Sequence, residues 1–144
     1  MPPTVLLVDD DPSIRTVATI NLQASGIEVV EAENGEAALA AVRNGGIDLV
    51  LLDVMMPGMS GWDVALELRR DERLAVPVAF VSAKTATADR IRGYELGAID
   101  YITKPFNPVE LADRVRELIA SAKTGDAQRR ARDRLERLLA NDLP

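Results

Sequence analysis

Asp9, Asp10, Asp53, Ser82 and Lys104 are the residues of this chain whose types and placement could do chemistry. Three sites follow short apolar runs, VLLV before Asp9-Asp10, LVLL before Asp53 and VAFV before Ser82, and Lys104 follows a more mixed strand from Ile99 to Thr103. Runs that short, continuous and branched read as strands buried on both faces, as in a parallel sheet. The C-terminal ends of parallel strands share one edge, where open α/β folds place their ligands. Three carboxylates gathered there cannot all stay ionised without a cation, because each raises the pKa of the others. A hard divalent ion with oxygen ligands, Mg²⁺ above all with Mn²⁺ as a substitute, resolves that conflict. A carboxylate in such a setting, with a hydroxyl and an ammonium nearby, can accept a phosphoryl group by in-line attack. Taken singly, each residue has a plainer role. The acids of Asp9–Asp11 would favour a helix N-terminus, Ser82 would cap a helix, and Lys104 would be a surface cation. Their arrival at one edge is what points to chemistry.

Composition narrows the chemistry further. The chain has 144 residues, 47% of them apolar, which fits one globular domain able to bury a core. It contains no Cys and no His. Thiolate nucleophiles, disulfides, Ser-His triads and ordinary zinc sites are therefore excluded. No apolar run approaches the roughly 20 residues of a membrane helix, and the start MPPTVLLVDDDP lacks the basic segment of a signal peptide. A cytoplasmic location without membrane insertion is expected. The net charge of −6 argues against direct, nonspecific nucleic-acid binding. The charge is also uneven. Residues 1–121 carry 11 Lys+Arg against 19 Asp+Glu, whereas residues 122–144 carry 6 against 4. An acidic domain over 1–121 and a basic helical tail over 122–144 are expected.

The elements that must position the five residues alternate regularly. Strands are expected over Thr4–Val8, Ile27–Ala32, Leu49–Leu52, Val78–Val81 and Ile99–Thr103. Helices are expected between them. The first starts at Pro12 and stops at Gly26, with Ile14, Val17, Ala18 and Leu22 at helical spacing. The second spans Gly35–Asn44 behind an Asn34 cap, with Ala37, Ala38, Ala41 and Val42 on one face. The third runs from about Ser60 to Asp71, with Trp62, Ala65, Leu66 and Leu68 as its inward candidates. The fourth runs from about Thr85 to Leu96; its interior Gly93 costs up to about 1 kcal/mol in helix propensity and makes it the least firmly held. The fifth starts with Asn107 as cap and Pro108 at the first position. Strict alternation implies right-handed parallel βαβ units with helices on both faces. Neither a G-x-G-x-x-G turn nor a P-loop follows the first strand.

Four blocks in order, VLLVDDDPSIR, LVLLDVMMPGMSGWD, PVAFVSAKT and GAIDYITKPFNPVEL, resemble the receiver domain of bacterial two-component response regulators. The resemblance covers roughly residues 3–121. It implies a flavodoxin-like, doubly wound five-stranded parallel sheet of order 2-1-3-4-5, followed here by a C-terminal helical tail. It makes Asp53 the phosphoacceptor. It makes Asp9, Asp10, Asp53 and the backbone carbonyl of Met55 the Mg²⁺ ligands, with Asp9 acting mainly through water. Ser82 would hydrogen-bond the phosphoryl group, Lys104 would pair with it, and the Lys104-Pro105 bond would be cis. Ser82 and Tyr101 would form the switch, Tyr101 turning inward on phosphorylation. Asp11 matches no family role and reads as a helix-start acid. Nothing at these positions departs from the pattern, so an inactive receiver relative is not expected.

The implied function is a phosphorylation-activated signalling switch rather than a multi-turnover enzyme. Its partners would be a sensor histidine kinase or phosphotransfer protein, and a downstream protein or output domain. The readout surface would lie on the fourth helix, fifth strand and fifth helix. There Arg90, Arg92, Glu95, Asp100, Glu110 and Arg114 offer both charge signs for a phosphorylation-dependent homodimer through 84–121. Met55 and Lys84 flank the acceptor, and the bulky Met55 would slow attack by water on the acyl phosphate. In the tail, Ala127, Ala131, Leu135 and Leu138/Leu139 fall at helical spacing with arginines between them. That stripe reads either as a signalling helix leading to an output module absent from this chain or as a solvated helix; it is too short for a coiled coil. Two other classes compete with the switch. A Mg²⁺-dependent aspartyl-phosphate phosphatase would want D-x-D after the first strand and a capping insertion. A phosphate-independent adaptor would not need Asp10, Asp53, Ser82 and Lys104 together.

Overall fold

The period-2 alternation of the apolar strands decides how this chain folds. In β3 (Leu49–Leu52), Val50 and Leu52 join one apolar core while Leu49 and Leu51 join the other. The same division runs through β1 (Thr4–Val8) and β4 (Val78–Ser82). Such strands are satisfied only between two layers of helices. In the computed structural model, which describes residues 1–142, the five strands form one parallel sheet of order β2-β1-β3-β4-β5. Edge strand β2 spans Glu28–Ala32, and β5 spans Asp100–Thr103. One core is roofed by α2 (Gly35–Arg43), α3 (Gly61–Arg70) and α4 (Thr87–Glu95). The other lies under α1 (Pro12–Ala24) and α5 (Pro108–Thr124). Register brings the strand ends level: Val8 pairs with Leu52, Leu52 with Phe80, and Ser82 with Thr103. The doubly wound α/β fold and its strand order are those the sequence implied.

Local signals set the helix starts. Asp11 caps α1 by accepting from the Ser13 amide at 2.8 Å, Asn34 caps α2, and Asn107 caps α5 ahead of Pro108. Ser60 and Asp63 form a reciprocal capping box on α3, which satisfies two amides that otherwise lack partners. By contrast, α4 begins two residues later than expected, behind Ala86, with no side-chain cap. Three inward assignments need correction. Leu66 is 41% exposed and Val64 is buried instead; Val17 is 45% exposed; and on α2 the buried set is Ala38, Leu39 and Val42, with Ala37 outward. In each case an apolar residue sits about 100° off the face its helix turns to the sheet.

The tail is packed rather than solvated. Gly125 takes φ +83, the left-handed conformation favoured by glycine, and caps α5 so that the chain turns straight into α6 (Asp126–Asp142). Ala127 and Ala131 are buried, and Leu135 and Leu138 pack partly buried against the core under α4. Leu143 and Pro144, the end of the expected tail, lie outside the described residues.

Candidate functional site

The buried ends of β1, β3 and β4 place Asp9, Asp53 and Ser82 side by side at the C-terminal edge. Lys104 follows β5, and the Lys104-Pro105 bond is cis. Asp53 is 5% exposed and Asp9 is 2% exposed, whereas Asp10 faces solvent. One carboxylate oxygen from each of the three lies within 4.8 Å of the others. The Lys104 ammonium donates to Asp9 Oδ2 at 2.7 Å and lies 3.3 Å from Asp53 Oδ2. The other oxygen of Asp9 accepts from the Asp11 amide, and Asp53 Oδ1 accepts weakly from the Met55 amide at 3.4 Å. Ser82, fully buried, accepts through Oγ from the Lys84 amide at 3.1 Å. Asp9, Asp10, Asp53 and Lys104 thus meet at one place, with Ser82 at the end of the neighbouring strand β4.

Electrostatics follow from burial. Removal from water pushes the Asp53 carboxyl above the ordinary carboxylate range; Lys104 opposes this and Asp9 adds to it. Burial alone would pull the Lys104 ammonium down. Its hydrogen bond to Asp9 and the charges of Asp53 and Asp9 outweigh that, and its pKa ends up raised. Three carboxylates facing one ammonium leave a surplus of negative charge on hard oxygen donors. That donor set fits Mg²⁺, with Asp9, Asp10 and Asp53 as the residues able to hold it.

A pH dependence follows. A carboxyl whose folded pKa is raised stabilises the fold fully below its unfolded pKa and ceases to do so as pH rises through the folded value. In EDTA, the unfolding free energy of Asp53→Asn relative to wild type should therefore shift in favour of Asn as pH rises from about 4 to 7. The gain should be largest at neutral pH. Saturating Mg²⁺ should abolish it. Denaturant titrations at several pH values read both effects, and a constant difference across pH would contradict the burial argument.

Tyr101 lies inward, 5% exposed, and its hydroxyl donates to the Lys84 carbonyl at 2.6 Å. Burial raises its pKa, and Ser82 nearby opposes the shift. Its ring packs 5.9 Å from that of Phe80, whose other neighbour is Trp62. Gly93 of α4 sits directly above: a Cβ there would come 3.0 Å from the Tyr101 ring and 3.1 Å from that of Phe80. The glycine that weakens α4 as a helix is thus the residue that lets it close over the tyrosine.

Three supporting residues were not legible in the motifs. Arg15 donates to the Asp9 carbonyl at 2.6 Å and pairs with Glu31, fixing the acidic turn. Gly61 lets α3 approach the Asp53 backbone, because a Cβ there would fall 2.1 Å from the Asp53 carbonyl oxygen. Asp100, read as a surface charge, is 2% exposed and bound by Arg114 at 2.6 Å and Arg134 at 2.8 Å. Asp100 and Arg114 are therefore engaged within the chain. Each of the three stands inside one of the four blocks, Arg15 in VLLVDDDPSIR, Gly61 in LVLLDVMMPGMSGWD and Asp100 in GAIDYITKPFNPVEL, but its residue type alone marks no role.

Fold and site together define a doubly wound α/β domain with an acidic pocket at the C-terminal edge of its sheet. The family model described as the response regulator receiver domain matches residues 5–116, and the chain belongs to that family, the receivers of two-component signalling. Phosphorylation and Mg²⁺ binding are typical of its members. The chain is 41% identical over 126 residues to the phosphate regulon transcriptional regulatory protein PhoB of Pseudomonas aeruginosa, covering 87% of this chain and 55% of that protein. It is 49% identical over 112 residues to the DNA-binding response regulator MtrA of Mycobacterium tuberculosis, covering 78% and 48%. It thus spans about half the length of these regulators. Among solved structures, the chemotaxis protein CheY4 of Vibrio cholerae superposes with a TM-score of 0.76 at 31% identity, covering 81% of this chain and 98% of that one. The receiver domain of Francisella response regulator 1452 gives 0.78 at 33%, covering 83% and 98%.

Proposed function

We propose that this chain is a phosphorylation-activated switch whose acceptor is Asp53. The observation that carries the reading is the position of that carboxylate, buried at the end of β3, with Lys104 Nζ 3.3 Å away and Asp9 and Asp10 in its oxygen cluster. A phosphohistidine of a sensor histidine kinase or phosphotransfer protein is the donor. An Asp53 oxygen attacks phosphorus, the P–N bond breaks, its electron pair returns to the imidazole, and a mixed carboxyl-phosphoryl anhydride forms. Asp9, Asp10, Asp53 and the Met55 backbone carbonyl are the ligands of Mg²⁺, which supplies neutralising charge to the phosphoryl oxygens when bound. Ser82 donates its hydroxyl to one phosphoryl oxygen, and Lys104 transfers its ammonium from Asp9 to another. A new charge of roughly −1.5 to −2 at Asp53 then biases Ser82 and Tyr101, and with them the surface of α4, β5 and α5.

Residues 1–121 form the receiver in this reading, and 122–144 the basic tail that adjoins an output domain or a downstream protein. A homodimer through 84–121 would have α6 at its border, since that helix lies against α4 and α5. Among the described residues no helix is long and apolar enough to cross a membrane, which fits the cytoplasmic setting we propose.

The test is intact mass after incubation with acetyl phosphate and Mg²⁺. One hydroxylamine-labile phosphoryl adduct is expected, abolished by EDTA. Met55, 60% exposed, lines a surface hollow beside the acceptor together with Lys84, and should hinder an approaching water. The adduct should therefore persist well beyond seconds once the donor is removed. Loss of the label within seconds would refute the shielding role of Met55, and no adduct on the folded protein would refute the switch.

A further inference from the structure

Helix α6 grips the switch at a point that the chemistry of Asp53 does not use. Arg134 supplies the grip: its Nη1 donates to Asp100 Oδ1 at 2.8 Å and reaches the Tyr94 hydroxyl at 3.4 Å. Asp100 immediately precedes Tyr101 on β5, and Tyr94 immediately follows Gly93, the residue of α4 that lies on the Tyr101 ring. One guanidinium therefore ties α4 to β5 across the aromatic side chain between them. Ala131 is buried in the same apolar cluster as Tyr94 and Tyr101, and Leu135 and Leu138 pack against that cluster. One turn earlier on α6, Arg130 pairs with Glu117 of α5 at 2.7 Å. Helix α4 has no capping side chain and a central glycine, so it has little of its own to hold it down.

We propose that α6 is an intramolecular clamp on the switch: by tying α4 to β5 through Arg134, it holds Tyr101 inward and so raises phosphoryl acceptance at Asp53. This rests on the function proposed above. An element that binds one of two arrangements more tightly shifts the population toward it, and the coupling is reciprocal: phosphoryl acceptance in turn tightens the hold of α6. Arg134 is a positioning residue here, acting through Tyr94 and Asp100. A purely structural role for α6 would lower stability without moving Tyr101.

The experiment uses the full chain as wild type, Arg134→Ala and Ala131→Glu. Arg134→Ala leaves both Arg114 bonds to Asp100 in place, so the fold should hold. Ala131→Glu should expel α6, and if it does not fold, Arg134→Ala decides alone. Because the chain has no Cys, Glu117→Cys with Arg130→Cys, joined by a short bismaleimide, can pin α6 in the Arg134→Ala background. Two readings are taken: the initial rate of adduct formation with acetyl phosphate and Mg²⁺, and the ring NMR signals of labelled tyrosine. Only Tyr94 and Tyr101 contribute to those signals. Arg134→Ala should move the Tyr101 signal toward that of an exposed ring and slow phosphorylation about fivefold or more. The cross-link joins α6 to α5 without replacing the guanidinium and should restore neither, whereas full restoration would overturn the role of Arg134. An unmoved Tyr101, or a rate equal to or above wild type, overturns the clamp. Should wild type accept no phosphoryl group, the acceptor reading fails and the coupling to Asp53 falls with it, while the Tyr101 signal still decides whether α6 holds the ring.

Discussion

Asp53→Ala should remove phosphoryl acceptance entirely while leaving the protein folded. Asp9 and Asp10 remain near the pocket, but Asp10 is exposed and Asp9 is committed to Lys104 and the Asp11 amide. Neither is placed to take over the attack. The loss should therefore be complete rather than partial, with no adduct visible by intact mass under conditions that fully modify wild type. Lys104 keeps its 2.7 Å partner in Asp9 when Asp53 goes, so no buried ammonium is stranded. Far-UV circular dichroism should be unchanged. A residual hydroxylamine-labile adduct on the variant would mean that a second carboxylate accepts the group and would remove Asp53 from its proposed role.

Gly61→Ala should be the most damaging single-methyl change near the site. The added Cβ would sit 2.1 Å from the Asp53 carbonyl oxygen and 2.8 Å from Val54 Cα, and both are backbone atoms that no rotamer change can clear. The helix start is also fixed from the other side, because the Gly61 amide donates to the Val54 carbonyl at 2.9 Å and Ser60 is locked in its capping box. Either α3 withdraws from the sheet or the Asp53 loop moves. A cost of roughly 3–5 kcal/mol is expected, a large share of the stability of a domain this size. Denaturant unfolding gives the figure directly. A loss below about 1 kcal/mol would show that the loop yields easily, contrary to the packing seen here. Because Asp53 lies on that loop, the folded fraction should also accept phosphoryl groups more slowly. At an exposed helix site the same substitution would instead stabilise by about 1 kcal/mol, which separates sterics from propensity.

Much of the pocket was readable from local pattern. Asp9, Asp53 and Ser82 each close an apolar run and Lys104 follows the mixed strand Ile99–Thr103, and parallel alternation sends the ends of such strands to one edge whatever the loops do. The caps at Asn34, Ser60 and Asn107 were equally local, because a cap is an interaction within one turn of chain. The helix faces were less secure. Leu66 and Val64 are both apolar and two positions apart, and only the angle at which α3 meets the sheet decides which of them is buried.

Hydrophobic periodicity and the chemistry of strand ends thus determined from sequence alone the doubly wound sheet and the gathering of acids, hydroxyl and ammonium. Tertiary structure decided what depends on residues distant in the chain. It turned α6 back onto α4, buried Asp100 between Arg114 and Arg134, and set Gly93 over Tyr101 and Gly61 against the Asp53 carbonyl. The physical reason is one of range. A periodic stripe states that a face will be covered, while the identity of the cover is fixed by shape and charge pairing that exist only once the sheet has assembled.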